Sequence, residues 1–411
     1  MNIGRKVRGL LVSLFAVVLV SSAIAETGNL GGNDLAFKTK EAVGENKPIV
    51  QIPFEVEFDT IVIPISINGS QTLRCVLDTG MPGGVFLVNP KTAKDIDLKY
   101  VATGMKVQGS GSDSETANMA LGAKVGLAGL ELENQRIIVL DKEGFLAKIG
   151  IDGAIGASIF NNFVVQMDFE KRVASLFSKD GFDSENAGEK LALQIVNTKA
   201  FLKAKVNVNG KRDIPVSLLL DTGAGAGLSI EKTSLAELEV PEKGIRGVLG
   251  AGVGGNIEGV FGRVSSLYLG KHRLGRVTAG FPDQGGSSAN GTIGMGILRR
   301  FLVTIDYPNK RIFLTPNRTF KEPFEYSMTG FSVRPNVSGE LIVLQVFPDS
   351  GAFKAGIRTG DTIISIDKKT LDFSSYSRML DRFKEPGKRI LVEFERSGER
   401  FTKLLKLRRL F

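Results

Sequence analysis

An internal repeat limits the fold of this 411-residue chain more than any other feature of its sequence. Residues 65–69 and 76–80 read ISING and VLDTG, and residues 206–210 and 218–223 read VNVNG and LLLDTG. Each copy continues through a glycine-rich stretch to an Ile-Gly pair, and an acidic–aromatic pair follows twelve residues after that glycine. The Ile-Gly pairs are Ile155-Gly156 and Ile293-Gly294, and the acidic–aromatic pairs are Asp168-Phe169 and Asp306-Tyr307. Because the landmarks recur at matching positions, we predict two lobes of the same fold.

Short runs rich in Val, Ile and Phe predict that both lobes are mainly β. Helical periodicity is brief, and the helix-like segments are Pro90–Leu98 and Glu231–Val240. The predicted strands are 61–67, 136–140, 163–169, 263–269, 301–307 and 311–315. The polar segment 181–189, which contains glycine, is the predicted linker between lobe 1 (48–180) and lobe 2 (190–320).

Composition argues against several kinds of site. Cys75 and His272 are the only cysteine and the only histidine, so the chain has no intrachain disulfide and no zinc site with two histidines. A Ser-His-Asp triad would need His272, and no Gly-x-Ser-x-Gly elbow accompanies it. We expect Cys75 to be a buried structural thiol, because it lies on an apolar strand, and His272 to lie in an exposed turn.

The net charge of +9 is unevenly distributed. Residues 1–25 carry three bases and no acid, and residues 325–411 carry 16 bases and 11 acids, which leaves a net charge of +1 between them. That nearly neutral stretch gives no reason to expect a nucleic-acid partner. The basic tail 403–411 leaves contact with anionic lipid open, although a solvated face is the commoner explanation of such a tail.

The N-terminus has the three parts of a secretory signal peptide. Basic residues within 5–8 precede the apolar segment Leu10–Val20, and an Ala-x-Ala cleavage pattern ends at Ala25. We predict that residues 1–25 are removed, leaving 26–47 as an N-terminal extension. An uncleaved N-terminal anchor is the alternative. The lack of disulfide cysteines and of a further hydrophobic span favours export to a bacterial periplasm.

Asp-Thr-Gly occurs twice, each time after an apolar strand, at Asp78 and at Asp221. This pattern resembles the retropepsin-like and pepsin-like aspartic proteases, in which two such loops meet at an approximate two-fold axis. The resemblance covers about residues 48–318. It implies two β-barrel lobes in a bilobal acid-protease fold, with Asp78 and Asp221 as the catalytic pair. It also implies peptide or protein substrates, and neither a metal nor an organic cofactor.

The resemblance gives the residues around the pair supporting roles: threonine bonds the opposite loop, and glycine lets the loops approach closely. The expected supporting residues are Thr79, Gly80, Thr222, Gly223 and Ala224. Ala224 has the small side chain that retropepsin-like enzymes place there, whereas loop 1 continues with Met81 and Pro82. A bulky side chain and a rigid ring beside the carboxylate leave the fine geometry of loop 1 open, so we keep a catalytically inactive pair as an alternative.

The glycine-rich stretch in each lobe resembles a flap, a hairpin that closes over the substrate. The predicted flap residues are Gly109 and Gly111 in lobe 1, and Gly252 and Gly254 in lobe 2. Glycine permits hinge motion and leaves the main chain free to bond a peptide. Ordinary hairpin turns are the alternative.

Residues 325–411 resemble a bacterial PDZ domain, a small α+β domain. Residues 347–367 contain a small-residue helix that leads to Gly360-Asp361 and a strand; residues 372–383 read as an amphipathic helix, and 389–395 as a strand. The loop at Met328 then corresponds to the family's carboxylate-binding loop. The residues expected to bind a peptide are Thr329, Gly330, Phe331, Ser332 and Val333. A PDZ fold that only braces the protease is the alternative.

Together these patterns predict an exported aspartic endopeptidase that needs no cofactor, whose PDZ domain recruits peptides or proteins by a C-terminal ligand. A peptide-binding adaptor whose lobes have lost catalysis is the alternative from another class. An enzyme that is active only after dimerisation or processing is a third possibility.

Overall fold

The computed structural model describes residues 46–81, 84–108, 114–252, 255–284, 289–336 and 338–411, and two isolated strands, Leu19–Val20 and Phe37–Lys38. Most of the predicted signal peptide and most of the N-terminal extension lie outside the described residues. So do Pro82 and the predicted flap residues Gly109, Gly111 and Gly254. No helix in the described part of the chain is long and apolar enough to cross a membrane.

Among the described residues, lobe 1 and the segment before it contain strands and three short helices. In chain order they are β1 (Leu19–Val20), β2 (Phe37–Lys38), β3 (Val50–Pro53), β4 (Glu55–Glu57), β5 (Thr60–Ile67), β6 (Leu73–Leu77), β7 (Val85–Val88), α1 (Pro90–Ala93), β8 (Tyr100–Gln108), β9 (Ser114–Leu127), β10 (Leu130–Leu140), α2 (Phe145–Lys148), β11 (Gly153–Ile155), α3 (Ala157–Asn162), β12 (Val164–Asp168) and β13 (Val173–Phe177).

Lobe 2 repeats this order with one helix. Its elements are β14 (Glu189–Val196), β15 (Lys199–Asn207), β16 (Asp213–Leu220), β17 (Leu228–Ile230), β18 (Ile245–Gly252), β19 (Gly255–Leu269), β20 (His272–Pro282), β21 (Gly291–Ile293), α4 (Met295–Leu298), β22 (Phe301–Asp306) and β23 (Arg311–Pro316).

Each lobe has a sheet that closes on itself. In lobe 1 the strand order is β8-β9-β10-β7-β11-β6-β5, and β5 also pairs with β9. In lobe 2 the order is β18-β19-β20-β17-β21-β16-β15, and β15 also pairs with β19. The two orders correspond strand for strand, which confirms the predicted pair of β lobes. Fully buried phenylalanines fill the lobes, among them Phe86 and Phe160 in lobe 1 and Phe281 and Phe301 in lobe 2.

A sheet that both lobes share joins them. Its order is β14-β23-β22-β12-β13-β3, with three strands from each lobe. The lobes meet where β12 pairs antiparallel with β22, through Val165–Ile305, Gln166–Thr304 and Met167–Val303. This junction lies at the centre of the shared sheet and fixes the lobes relative to each other.

The C-terminal domain is a smaller sheet with two helices. Its elements are β24 (Phe331–Pro335), β25 (Leu341–Val346), α5 (Gly351–Lys354), β26 (Thr362–Ile366), β27 (Lys369–Thr370), α6 (Phe373–Met379), a 3₁₀ turn (Leu380–Lys384), β28 (Arg389–Arg396) and β29 (Glu399–Lys406). The strand order is β24-β25-β26-β28-β29, with β27 paired to β26. Asp372 and Ser375 form a capping box that starts α6, as their spacing requires.

Two local predictions in the lobes were wrong. The segment 231–240 forms no helix, because the Ser234 hydroxyl donates to the Glu231 carbonyl at 2.7 Å, a side-chain bond that competes with helical bonding. His272 is not exposed: it begins β20 and is only 8% exposed. Its ring lies edge-on to Phe301, with centroids 5.3 Å apart, and to Phe320, at 5.8 Å. Of the predicted helix 90–98, only Pro90–Ala93 is helical. Cys75 is buried, as expected.

Candidate active site

Asp78 and Asp221 follow directly after two equivalent strands, β6 and β16. β6 runs parallel to β11, and β16 runs parallel to β21. The main-chain N–H of Asp78 donates to the Ile155 carbonyl at 2.8 Å, and that of Asp221 donates to the Ile293 carbonyl at 3.0 Å. The Ile-Gly pairs of the repeat therefore fix the point at which each aspartate leaves its strand.

The two threonines of the motifs bind the loops to each other. Thr79 Oγ1 donates to the Leu220 carbonyl at 2.7 Å and accepts the Thr222 N–H at 3.0 Å. Thr222 Oγ1 in turn donates to the Leu77 carbonyl at 2.7 Å and accepts the Thr79 N–H at 3.0 Å. These four buried bonds are related by the two-fold pseudosymmetry, so they hold both aspartates at one interface.

Each motif glycine packs against the carboxyl of the other lobe. A Cβ atom on Gly80 would lie 2.7 Å from Asp221 Cγ, and one on Gly223 would lie 2.4 Å from Asp78 Cγ. Real Cβ atoms do not approach so closely, so only glycine fits at either position. The same distances place the two carboxyls side by side across the interface.

Main-chain donors orient both carboxyls in the same way. Each Oδ1 atom accepts two N–H groups from its own loop. The donors are Gly80 and Met81 for Asp78, at 2.7 and 3.2 Å, and Gly223 and Ala224 for Asp221, at 2.9 and 3.0 Å. Each Oδ2 atom is buried and has no hydrogen-bond partner among the described residues. Both Oδ2 atoms therefore keep the hydrogen-bonding capacity that a proton shared between the two carboxyls would use.

Burial is the main cause of an unusual titration of this pair. It raises the pKa of both Asp78 and Asp221, and the negative charge of Asp221 raises the pKa of Asp78 further. The main-chain donors act in the opposite direction, because they favour the ionised form of each carboxyl. The pair therefore retains one proton in a pH range where an exposed aspartate has lost its own.

Loop 1 keeps this geometry despite Met81. The Met81 side chain is fully buried, and a Cβ atom on Gly156 would lie 3.0 Å from Met81 Cε. Ala224 packs equivalently against Gly294, because a Cβ atom on Gly294 would lie 3.1 Å from Ala224 Cβ. The methionine thus points into the lobe below the loop, and its N–H still bonds Asp78. In the described part of loop 1, Met81 therefore leaves Asp78 with the same main-chain donors that Asp221 has in loop 2.

Comparison with known proteins agrees with this geometry. Residues 63–159 and 204–297 match the family model described as aspartyl protease, and residues 327–407 match a PDZ-domain model. The chain carries two aspartyl protease-like lobes and a PDZ domain. No curated protein matches the chain.

Among the solved structures that match this protease-like chain, two match a small part of it. One is an aminopeptidase N family protein from Idiomarina loihiensis, 29% identical, with a TM-score of 0.20; the match covers 22% of this chain and 15% of that one. The other is a photosystem II D1 C-terminal processing protease, 21% identical, with a TM-score of 0.20; the match covers 22% of this chain and 25% of that one. This chain therefore spans no more than a quarter of the length of either protein.

Two polar residues of protease-like lobe 2 interact with the pair, and sequence reasoning missed both. Lys199 is 8% exposed; burial lowers the pKa of its ammonium, although the charges of Asp221 and Asp78 act to raise it. The Tyr307 hydroxyl is buried without a hydrogen-bond partner in the described part of the chain, and burial raises its pKa. The repeated acidic–aromatic pair was the available signal for Tyr307. Lys199 had no such signal, because nothing in the spacing along its own strand marks it as buried.

The predicted flaps are long hairpins of the protease-like lobes. β8 pairs with β9, and β18 pairs with β19 up to the facing residues Gly252 and Gly255. Gly252 therefore lies at the end of its hairpin, where the repeat predicted a tip. The role of these hairpins as lids stays a prediction.

The predicted peptide-binding residues of the PDZ domain lie along one loop and its strand. Phe331, Ser332 and Val333 belong to β24. Gly330 has a φ of +83°, and a Cβ atom there would lie 2.2 Å from Ser350 Cβ, so this position requires glycine. The buried Thr329 hydroxyl donates to the Phe331 carbonyl at 3.0 Å. The loop is therefore held in one conformation at the start of β24.

Proposed function

We propose that this chain is an aspartic endopeptidase, which hydrolyses peptide bonds with a water molecule activated by Asp78 and Asp221. One observation carries the proposal: two buried carboxyls lie side by side in equivalent loops, and each is oriented by the same main-chain donors. The aspartyl protease match of both lobes supports it.

The chemistry follows from the single proton that the pair shares. The ionised carboxyl accepts a proton from water as the water oxygen attacks the peptide carbonyl carbon. The protonated carboxyl donates to the carbonyl oxygen, which gives a neutral tetrahedral intermediate. The leaving nitrogen then takes the one proton that the pair holds, and the C–N bond breaks. A hydroxyl of the intermediate gives its proton to the pair as it becomes the carbonyl of the new carboxylic acid, so the pair returns to its singly protonated state. Because the titration belongs to the pair, neither aspartate is assigned the role of base alone.

The PDZ domain would supply substrates to this site. Its edge strand β24 can add a peptide strand, and the main chain near Met328 would bind a free C-terminal carboxylate.

We also propose that residues 1–25 direct export to a bacterial periplasm. N-terminal sequencing of the native protein would then start at or near Glu26, and a start at Met1 on a membrane-bound form would indicate an anchor.

Cleavage of a peptide library by residues 26–411 tests the proposed activity. The chain and its Asp213→Asn variant should both cleave, since Asp213 is exposed and begins β16, at the opposite end of that strand from Asp221. Asp221→Asn should cleave nothing, because asparagine has a similar shape but cannot cycle a proton. Cleavage by Asp221→Asn would contradict the proposal. Peptides that bind the wild-type chain and stay intact would instead favour the adaptor.

A further inference from the structure

A single cavity lies between lobe 2 and the groove of the PDZ domain, beside the segment that follows the loop of Asp221. Its volume is about 290 Å³, close to the lower end of ligand pockets, about 300 Å³. Lobe 2 contributes residues 225–229, which directly follow the loop of Asp221, and the flap side chains Leu249 and Phe261. The PDZ domain contributes residues 331–333 of β24 and one face of α6.

The face of α6 that lines the cavity is mainly apolar. Its residues recur with the spacing of one helical face: Phe373, Tyr376, Ser377 and Leu380. Leu380 is the first residue of the 3₁₀ turn that continues the helix. Ser377 is the one small side chain of the four, so the face leaves the most space there.

The β24 wall of the cavity offers hydrogen-bonding groups. β24 pairs only with β25 among the described strands, so its other edge has no strand partner. Ser332 is 7% exposed, and its Oγ atom is buried without a hydrogen-bond partner in the described part of the chain. A buried hydroxyl without a partner costs free energy, which a ligand in the cavity would recover.

Contacts with both lobes hold the PDZ groove against the cleft. Gln345 Oε1 accepts the Val248 N–H of the lobe 2 flap at 3.0 Å. The Phe261 ring lies 5.9 Å from Phe347, and Phe58 of lobe 1 stacks on Phe373 with centroids 5.2 Å apart. The cavity is therefore built from three parts of the chain that are packed together.

We propose that the PDZ groove is a distal subsite of the catalytic cleft, and that it receives a bulky apolar side chain of an extended polypeptide substrate. A substrate strand that passes the loop of Asp221 reaches residues 225–229, which line the cavity. There it pairs with the free edge of β24 and places its side chain between Leu249, Phe261 and Tyr376. The inference rests on the proposed function for its link to cleavage, but binding in the cavity is tested without catalysis.

Peptide binding to the full chain with Asp221→Asn tests the subsite. The probe is a library of ten-residue peptides, and bound members should favour Leu, Ile, Phe or Met at one position. Ser377→Phe fills the cavity and should weaken the binding of the selected peptides by about tenfold or more, because burial of one apolar side chain changes affinity by about that much. Lys369→Phe is the matched control: it adds the same ring to an exposed strand of the same domain and should change nothing.

If Ser377→Phe does not fold, a second variant still tests the subsite. Ser332→Ala removes only the buried hydroxyl, so its melting temperature should not fall, and its affinity for the same peptides should drop by about three- to tenfold. In the active chain, both variants should lower kcat/KM for long peptides with the apolar residue and leave it unchanged for peptides too short to reach the cavity.

Unchanged affinity and unchanged residue preference in both folded variants would overturn the subsite. So would a library from which no peptide binds. Selective binding without cleavage by the wild-type chain would refute the proposed protease and leave the subsite standing. Cleavage by the wild-type chain that neither variant affects would support the proposed protease and refute the subsite.

Discussion

Thr79 and Thr222 hold the two halves of the site together, one residue from the carboxyls that would do the chemistry. Each hydroxyl donates to a carbonyl of the other lobe and accepts an N–H from the other loop. All these groups are buried, so a lost hydroxyl leaves main-chain groups that water cannot reach. The threonines therefore matter for stability as well as for geometry.

Thr222→Val tests that role, since it keeps the shape of the side chain and removes the hydroxyl. We expect the free energy of unfolding to fall by about 2–4 kcal/mol, because two buried bonds are lost. Thr222→Ser retains the hydroxyl and should recover most of the loss. Chemical denaturation of the three proteins measures the difference, and equal stability of the Val and Ser variants would contradict this account.

Lys199 should set the pH range of the pair. Its positive charge favours ionised Asp221 and so lowers the pKa of that carboxyl. Lys199→Met removes the charge, the pKa of Asp221 rises, and the pair loses each proton at higher pH. Both limbs of the profile of kcat/KM against pH should then move upward. Lys199→Arg should leave the profile in place, and a downward shift in the Met variant would contradict the assignment.

Among the elements, the hairpins β12–β13 and β22–β23 show why the repeat contains an aspartate. Asp168 Oδ1 accepts the turn N–H groups of Glu170 and Lys171, both at 3.0 Å. Asp306 Oδ1 accepts the Asn309 N–H at 3.1 Å, and Asp306 Oδ2 also accepts from Arg311 at 2.6 Å. The aspartates thus fix the turns of the hairpins that join the lobes.

The equivalent substitutions Asp306→Ala and Asp168→Ala should differ in cost. The Asp306 side chain is fully buried, so its loss leaves the Arg311 guanidinium without its carboxylate, and we expect a loss of about 2–4 kcal/mol. The Asp168 side chain is 22% exposed, and water can replace its bonds, so about 1 kcal/mol is expected. Chemical denaturation would contradict this if Asp168→Ala proved the more costly change.

Sequence reasoning predicted the elements whose signal is local. The strands around each Asp-Thr-Gly motif, the hairpins and the helix that begins near Asp372 follow from apolar runs, turn chemistry and helical periodicity. The helix expected at 231–240 failed because a serine side chain bonds the main chain there. His272 and Lys199 were misplaced or missed because their burial comes from distant strands, which spacing along one strand does not show.

At the scale of the whole molecule, the PDZ domain breaks the symmetry of the two lobes. Arg263 of β19 pairs with Glu325 of the connecting segment at 2.7 Å, and Arg409 pairs with the same carboxylate at 2.6 Å. Together with the Phe261 contacts, these ion pairs seat the domain beside the lobe 2 flap. The sequence predicted each domain, but the domain orientation depends on contacts between residues far apart in the chain.

The measurement that tests the central claim most directly is kcat/KM for Asp78→Asn, Asp221→Asn and the double variant against the wild type. If the carboxyls act on one water with one shared proton, each single variant should lose nearly all activity. The double variant should then be scarcely worse than either, because residues that act as a unit are not additive. Full activity in Asp78→Asn would contradict the account, since the site would then not need lobe 1, and a dimer built from two copies of lobe 2 would replace it.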